Sequence, residues 1–198
     1  MLFNEPAVAD HFLNLLSSNK QKYGIRIHSF CLMGTHPHLV VTATAGQKAF
    51  SDFWKVVNHG LALFVNRRLG RKGQVIMERM RSPTIKPDGR HLLTVMRYGD
   101  LNPVRAGLCR SPSKWKYSSH NHYAYGQRHP LIDDAPDYVA LAQSPARRRL
   151  AYRDLLRQQL VADLMKRRPD LVNAPFIGDR EWMNAKRSEV GLAPLPDG

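Results

Sequence analysis

Residues 25–43, IRIHSFCLMGTHPHLVVTA, decide how the rest of the chain is read. The first part, IRIHSFCLM (25–33), is rich in branched and aromatic side chains, which suit a strand. Gly34-Thr35 punctuates it, and HLVVTA (38–43) has the same strand character, so the stretch predicts a β-hairpin. Upstream, Asn4 is placed to cap a helix with Pro6 in its first turn. Val8, Phe12, Leu15, Leu16 and Tyr23 then fall at helical spacing, and Gly24 closes the segment. Downstream, Phe50, Phe53, Trp54, Val57, Leu61 and Phe64 predict a long amphipathic helix over 47–69, with Gly60 its weak position. QVIMERMRSPTI (74–85) reads as a strand up to Arg81. Asp88 opens another helix, through Leu92, Leu93, Val95 and Met96 to the region of Leu101. Pro103 is expected to end it, because the residue before a proline is pushed out of the helical region. Helix, strand, strand, helix, strand, helix is the order of an α+β sandwich with an antiparallel sheet.

Beyond Gly107 the composition changes, which divides the chain into a first unit, 1–107, and an aromatic, basic extension, 108–198, packed on it. Residues 108–135 carry Trp115, Tyr117, Tyr123 and Tyr125 among turn residues. Residues 145–168 read as a strongly basic helix containing Arg147, Arg148, Arg149, Arg153, Arg157, Lys166, Arg167 and Arg168, and a short helix follows near 179–190. Thirty Lys and Arg against sixteen Asp and Glu leave a net charge of +14. That is more than solubility requires, and the commonest partner of such a chain is nucleic acid. No apolar run reaches the roughly 18–20 residues of a membrane span. MLFNEPAVADHF lacks the basic and apolar regions of a secretory leader. Cys31 and Cys109 are too few for a disulfide framework, so a cytoplasmic chain is expected.

Two local features bear on chemistry. His36-Pro37-His38 stands at the entry to a strand, where residues i and i+2 face the same side. Both imidazoles can then address one divalent ion. The alternative is a turn histidine followed by a half-buried strand histidine, and two ligands alone do not make a site. The second feature is Tyr98 with Asn102. At about 100° per residue, Leu92, Leu93, Val95 and Met96 form one apolar face, while Tyr98 and Asn102 fall roughly 100–140° away from its centre, near His91. Tyr98 is therefore expected off the core and in solvent, beside a carboxamide one turn later. Such a pair can serve as nucleophile and metal ligand, or be a surface tyrosine without a role.

Three stretches in order, FCLMGTHPHLVV (30–41), VMRYGDLNPVRAGL (95–108) and KWKYSSHNHYAYG (114–126), resemble the HUH single-tyrosine transposases, specifically the REP-associated tyrosine transposases. The likeness spans about residues 1–183. It implies a ferredoxin-like antiparallel sheet with helices on one face and a C-terminal helical extension. It implies His36, His38 and Asn102 as ligands of Mg²⁺ or Mn²⁺, and Tyr98 as the nucleophile. The implied reaction is cleavage and rejoining of single-stranded DNA, often a folded hairpin, through a 5′-phosphotyrosine. Arg67, Arg68, Arg71, Lys72, Arg105, Arg147 and Arg148 are the candidates for following the DNA backbone. The protein would act as a monomer or a homodimer, away from membranes.

The chain departs from that pattern in three places. The first strand of the family, which precedes the first helix and would be central in the sheet, has no counterpart, which leaves an unpaired edge. Pro37 stands where the family has a large apolar residue, and a proline withdraws a ladder donor. Gly99-Asp100 replaces Ile-His, and Gly99 weakens its helix by about 1 kcal/mol relative to alanine. These departures define the alternative, a catalytically impaired protein repurposed to bind DNA hairpins. An unrelated RNA-binding domain would explain the charge but not the order of the motifs. A zinc hydrolase lacks a third ligand at a recognisable spacing.

Overall fold

A short turn, Leu2–Asn4, and helix α1, Pro6–Lys20, open the computed structural model, which describes residues 2–76, 80–160, 168–171 and 173–196. Asn4 does not cap α1. The turn is tied down by Phe3, whose N–H donates to Gly34 O at 3.0 Å and whose ring packs 5.1 Å from Phe12. Glu5 thereby takes the cap position in an extended conformation, without a side-chain cap bond, and its carboxylate pairs with Arg68 instead. Gly24 has φ 61°, and a Cβ there would meet Thr44 Oγ1 at 2.8 Å, so only glycine turns the chain into the sheet at this point.

Strands β1, Ile25–Leu32, and β2, Pro37–Ala43, form the expected antiparallel hairpin, with an irregularity between Ile27 and Ser29. Helix α2, Gly46–Arg68, follows as predicted. Its Gly60 is explained by packing: a Cβ would lie 2.8 Å from Leu15 Cδ2 of α1. Ile25, Ile27, Phe30 and Leu32 join Phe12, Leu16, Phe53, Val57 and Leu61 in one core.

The opposite face of the hairpin is also covered. Val40 packs with Leu93 and Met96 of α3, Arg90–Arg105, in a second core that includes Tyr123, Tyr138 and Tyr152. Helices therefore lie on both faces of the hairpin, not on one. Seven of the eight residues of β1 are buried, so side chains on both its faces need an apolar cover. The cover on α3's side comes from α4, His120–Tyr125, α5, Pro136–Val139, and α6, Pro145–Leu160. Residues 1–107 and 108–198 thus share a core. The second stretch also pairs with the open side of β1: Leu32 N–H donates to Tyr117 O, Ser119 N–H to Phe30 O and Asp133 N–H to Ile27 O, at 2.8–2.9 Å.

The strand expected from 74 up to Arg81 is not seen among the described residues; the strand nearest to it, β3, Thr84–Ile85, lies beyond Arg81 and pairs in parallel with β4, Phe176–Ile177. Val75 and Ile76 pack against the first core without joining a strand, and residues 77–79 lie outside the described residues. Helix α3 passes through Pro103 to Arg105. Pro103 is itself buried there, so tertiary packing overrides the local preference. Asp88 does open α3, its Oδ1 accepting from the N–H groups of Arg90 and His91 at 3.1 Å. The basic helix expected over 145–168 is observed over 145–160, as α6, and Arg168 is not helical. Lys166 and Arg167 lie outside the described residues. The last helix, α7, Arg180–Glu189, is capped by Asp179, which accepts from Trp182 N–H. The architecture is α+β with a two-stranded antiparallel sheet at its centre. Among the described residues no helix is long and apolar enough to cross a membrane, and Cys31 and Cys109 are free thiols.

Candidate functional site

The site is built where the hairpin turn meets the end of α3. Met33 N–H donates to His36 O, which closes the turn and sets His36 just before β2. Pro37 is the first residue of β2, opposite Leu32. Leu32 directs both its N–H and its C=O away from β2, to Tyr117 O and to the Trp115 indole. Leu32 and Pro37 are thus a non-hydrogen-bonded pair, and Pro37 withdraws no donor from the ladder. Its fixed φ holds His36 and His38 in the extended arrangement that the i,i+2 spacing requires.

The two imidazoles converge. Nε2 of His36 lies 3.0 Å from Nε2 of His38, with one ring donating to the other, and His36 Nδ1 is 2.8 Å from Thr35 Oγ1. His36 is exposed and His38 half-buried. Burial, reinforced by the neighbouring His36 and the Arg105 guanidinium, lowers the pKa of His38 to about 4. The ring is therefore neutral at physiological pH, the form that binds metal.

Tyr98 is beside this pair, its ring centroid 6.3 Å from that of His38 in an edge-to-face contact. It is not in solvent, as its helical position predicts: it is 6% exposed and Asn102 8%. The polar face of α3 is covered by Leu171, Ile177 and the partly buried Ile85, which close over Tyr98 as a small third core. Arg105 completes the arrangement. Its guanidinium lies over the Tyr98 ring, 3.9 Å from the centroid, and donates to Tyr98 O at 2.7 Å and to Asn102 Oδ1. Asn102 Nδ2 is buried without a hydrogen-bond partner among the described residues.

The predicted residues thus divide into three groups. His36, His38, Tyr98, Asn102 and Arg105 come together. Arg67, Arg71 and Lys72 stand exposed at and beyond the end of α2, where Arg68 pairs with Glu5. Arg147 is exposed in the first turn of α6, whereas Arg148 turns back onto Ala142 O and Gln143 O at 2.7 and 3.1 Å. Of the seven basic candidates, Arg67, Arg68, Arg71, Lys72 and Arg147 are exposed, Arg68 while paired with Glu5.

One element near the site has no signal in the sequence. Asp100 is 1% exposed, and its Oδ2 accepts from Tyr152 OH at 2.9 Å and lies 3.0 Å from His120 Nδ1. Its Oδ1 has no partner among the described residues. Burial and the Asp100 charge push the Tyr152 phenol well above its ordinary pKa, and the same two causes raise the Cys31 thiol. Asp100 therefore pins α3 to α4 and α6 two residues after Tyr98, which gives Asp100 a structural purpose, whereas a Cβ at Gly99 would meet nothing within 4 Å and the structure does not explain that glycine. Only the fold brings Asp100, His120 and Tyr152 together.

As a cation site the donors fit in part. Two imidazole nitrogens converge, but the amide oxygen that would complete the set is held by Arg105. Among the described residues, no three of His, Cys, Asp and Glu gather into a cation site. No protein-family model, curated protein or solved structure matches the chain.

Proposed function

We propose that this protein is a cytoplasmic, metal-dependent nuclease and strand transferase of the HUH single-tyrosine kind, acting on single-stranded or hairpin DNA. The observation that carries the reading is the meeting of His36 and His38 at their Nε2 atoms beside the ring of Tyr98. The order α1–β1–β2–α2, with both helices against one face of the hairpin, supports a ferredoxin-like ancestry for the first half. The +14 charge and the outward Arg67, Arg71, Lys72 and Arg147 support a polyanionic substrate.

His36 and His38 would hold Mg²⁺ or Mn²⁺, joined by Asn102 Oδ1 when Arg105 releases it. When bound, the ion supplies polarisation of the scissile phosphate and neutralises charge developing on it. Tyr98 Oη forms the bond to phosphorus as the bond to the 3′ oxygen breaks. The phenol gives up its proton and the leaving oxygen takes one, leaving a 5′-phosphotyrosine and a 3′-hydroxyl. The covalent link conserves the bond for rejoining. The cover formed by Leu171 and Ile177 has to lift before DNA reaches Tyr98.

The buried state of Tyr98 also favours a second reading, a hairpin-binding protein that has lost catalysis. Incubation of a labelled hairpin oligonucleotide with Mn²⁺ separates the two. The proposal expects cleavage by the wild type and none by the His36→Ala/His38→Ala double variant. Tight binding without cleavage by the wild type under either metal supports the second reading.

A further inference from the structure

Tyr98, Asn102 and Arg105 are spaced i, i+4 and i+7, so they form one stripe along α3. Arg105 is half-buried on that stripe, stacked on the tyrosine and bonded to the asparagine oxygen. Buried amides ordinarily satisfy both ends. In Asn102 the oxygen serves a cation and the nitrogen has no partner among the described residues. The amide is thus oriented as a cation ligand, and the cation it holds is the chain's own guanidinium. His38, on the edge of the same tyrosine, is close enough for that positive charge to act on it.

We propose that Arg105 is a positioning residue that occupies the cation place at Asn102, and that a divalent ion binding at His36 and His38 must displace it to gain the amide oxygen. The inference rests on the reading of these three residues as metal ligands. A guanidinium and a divalent ion repel each other and cannot share one buried oxygen, so the exchange is competitive. Arg105 lies over the Tyr98 ring, so displacement by metal also removes that contact from the nucleophile, which Leu171 and Ile177 still cover.

Calorimetric titration of Mn²⁺ into the DNA-free protein tests this without recourse to activity. Arg105→Gln removes the competing charge and should tighten Mn²⁺ binding by about tenfold, the scale of one charge-assisted hydrogen bond. Asn102→Ala removes the contested ligand, so in that background Arg105→Gln should bring a much smaller gain. A merely structural arginine would not produce this dependence on Asn102. Arg105→Lys, which keeps the charge but not the planar fork, preserves the test if the glutamine variant does not fold, and a gain of a few-fold is expected. Unchanged or weaker Mn²⁺ binding in the folded Arg105 variants overturns this proposal alone. Absence of Mn²⁺ binding in every protein, wild type included, overturns it together with the proposed function.

Discussion

His36 and His38 meet because the residue between them is a proline at a position where the ladder needs no donor. This juxtaposition was legible before the fold was known, since an extended i,i+2 pair has one geometry. The burial of His38 was not legible, because its surroundings come from α3 and Arg105. That burial has a consequence in pH. The ordinary imidazole pKa of 6.5 applies to the unfolded chain, and the folded value is about 4. Between these values the unfolded state binds more protons, so stability rises with pH there. The contribution of His38 is fully present above about pH 6.5 and is lost as pH falls towards 4. His129, also lowered by burial and by His122, contributes in the same direction. Thermal melts across this range should show a steeper pH dependence for the wild type than for His38→Gln. Equal slopes would mean that the folded state does not hold His38 neutral.

At the scale of elements, α3 is where sequence reasoning and structure part most. Its apolar face was legible from Leu92, Leu93, Val95 and Met96, and Leu93 and Met96 do enter the second core. The opposite face was expected in solvent, because the residues that cover it, Leu171 and Ile177, lie far along the chain in short pieces without periodicity. Pro103 stays within the helix for a related reason: it is buried together with Leu101 and Asn102, packing that local sequence does not show. β3 and β4 are two residues each and leave almost no pattern to read. Parallel pairing of such short strands depends on Lys86, which bonds Asp179, and on the apolar contacts of Ile177. Ile177→Asp places a charge in that contact and should release β4 from Tyr98 while leaving both main cores intact. Nitration by tetranitromethane, mapped by mass spectrometry, should then reach Tyr98 several-fold faster than in the wild type. Unchanged reactivity at Tyr98, with native circular dichroism, would show that Ile177 does not form its cover.

For the whole molecule, the hairpin, α1, α2 and the charge excess were readable from composition and periodicity. The arrangement of the second core was not, because Tyr123, Tyr138 and Tyr152 lie in short segments that only tertiary contacts unite. The net charge of +14 carries its own test. Affinity for a hairpin oligonucleotide should fall steeply with salt, with a slope of log K against log salt of roughly −0.7 for each single-strand phosphate neutralised. Charge-reversing changes at Arg67, Arg71, Lys72 and Arg147 should flatten that slope, and a slope near zero in the wild type would show that the charge serves another purpose. The central claim is that Tyr98 is the nucleophile of a metal-dependent reaction on DNA. Its most direct test is denaturing electrophoresis of a labelled hairpin oligonucleotide incubated with protein and Mn²⁺, followed by mass spectrometry of the linked peptide. The account predicts a covalent adduct on Tyr98 that disappears in Tyr98→Phe, with DNA binding nearly unchanged. An adduct on Tyr117, Tyr123 or Tyr125, or tight hairpin binding with no adduct under either metal, would contradict it.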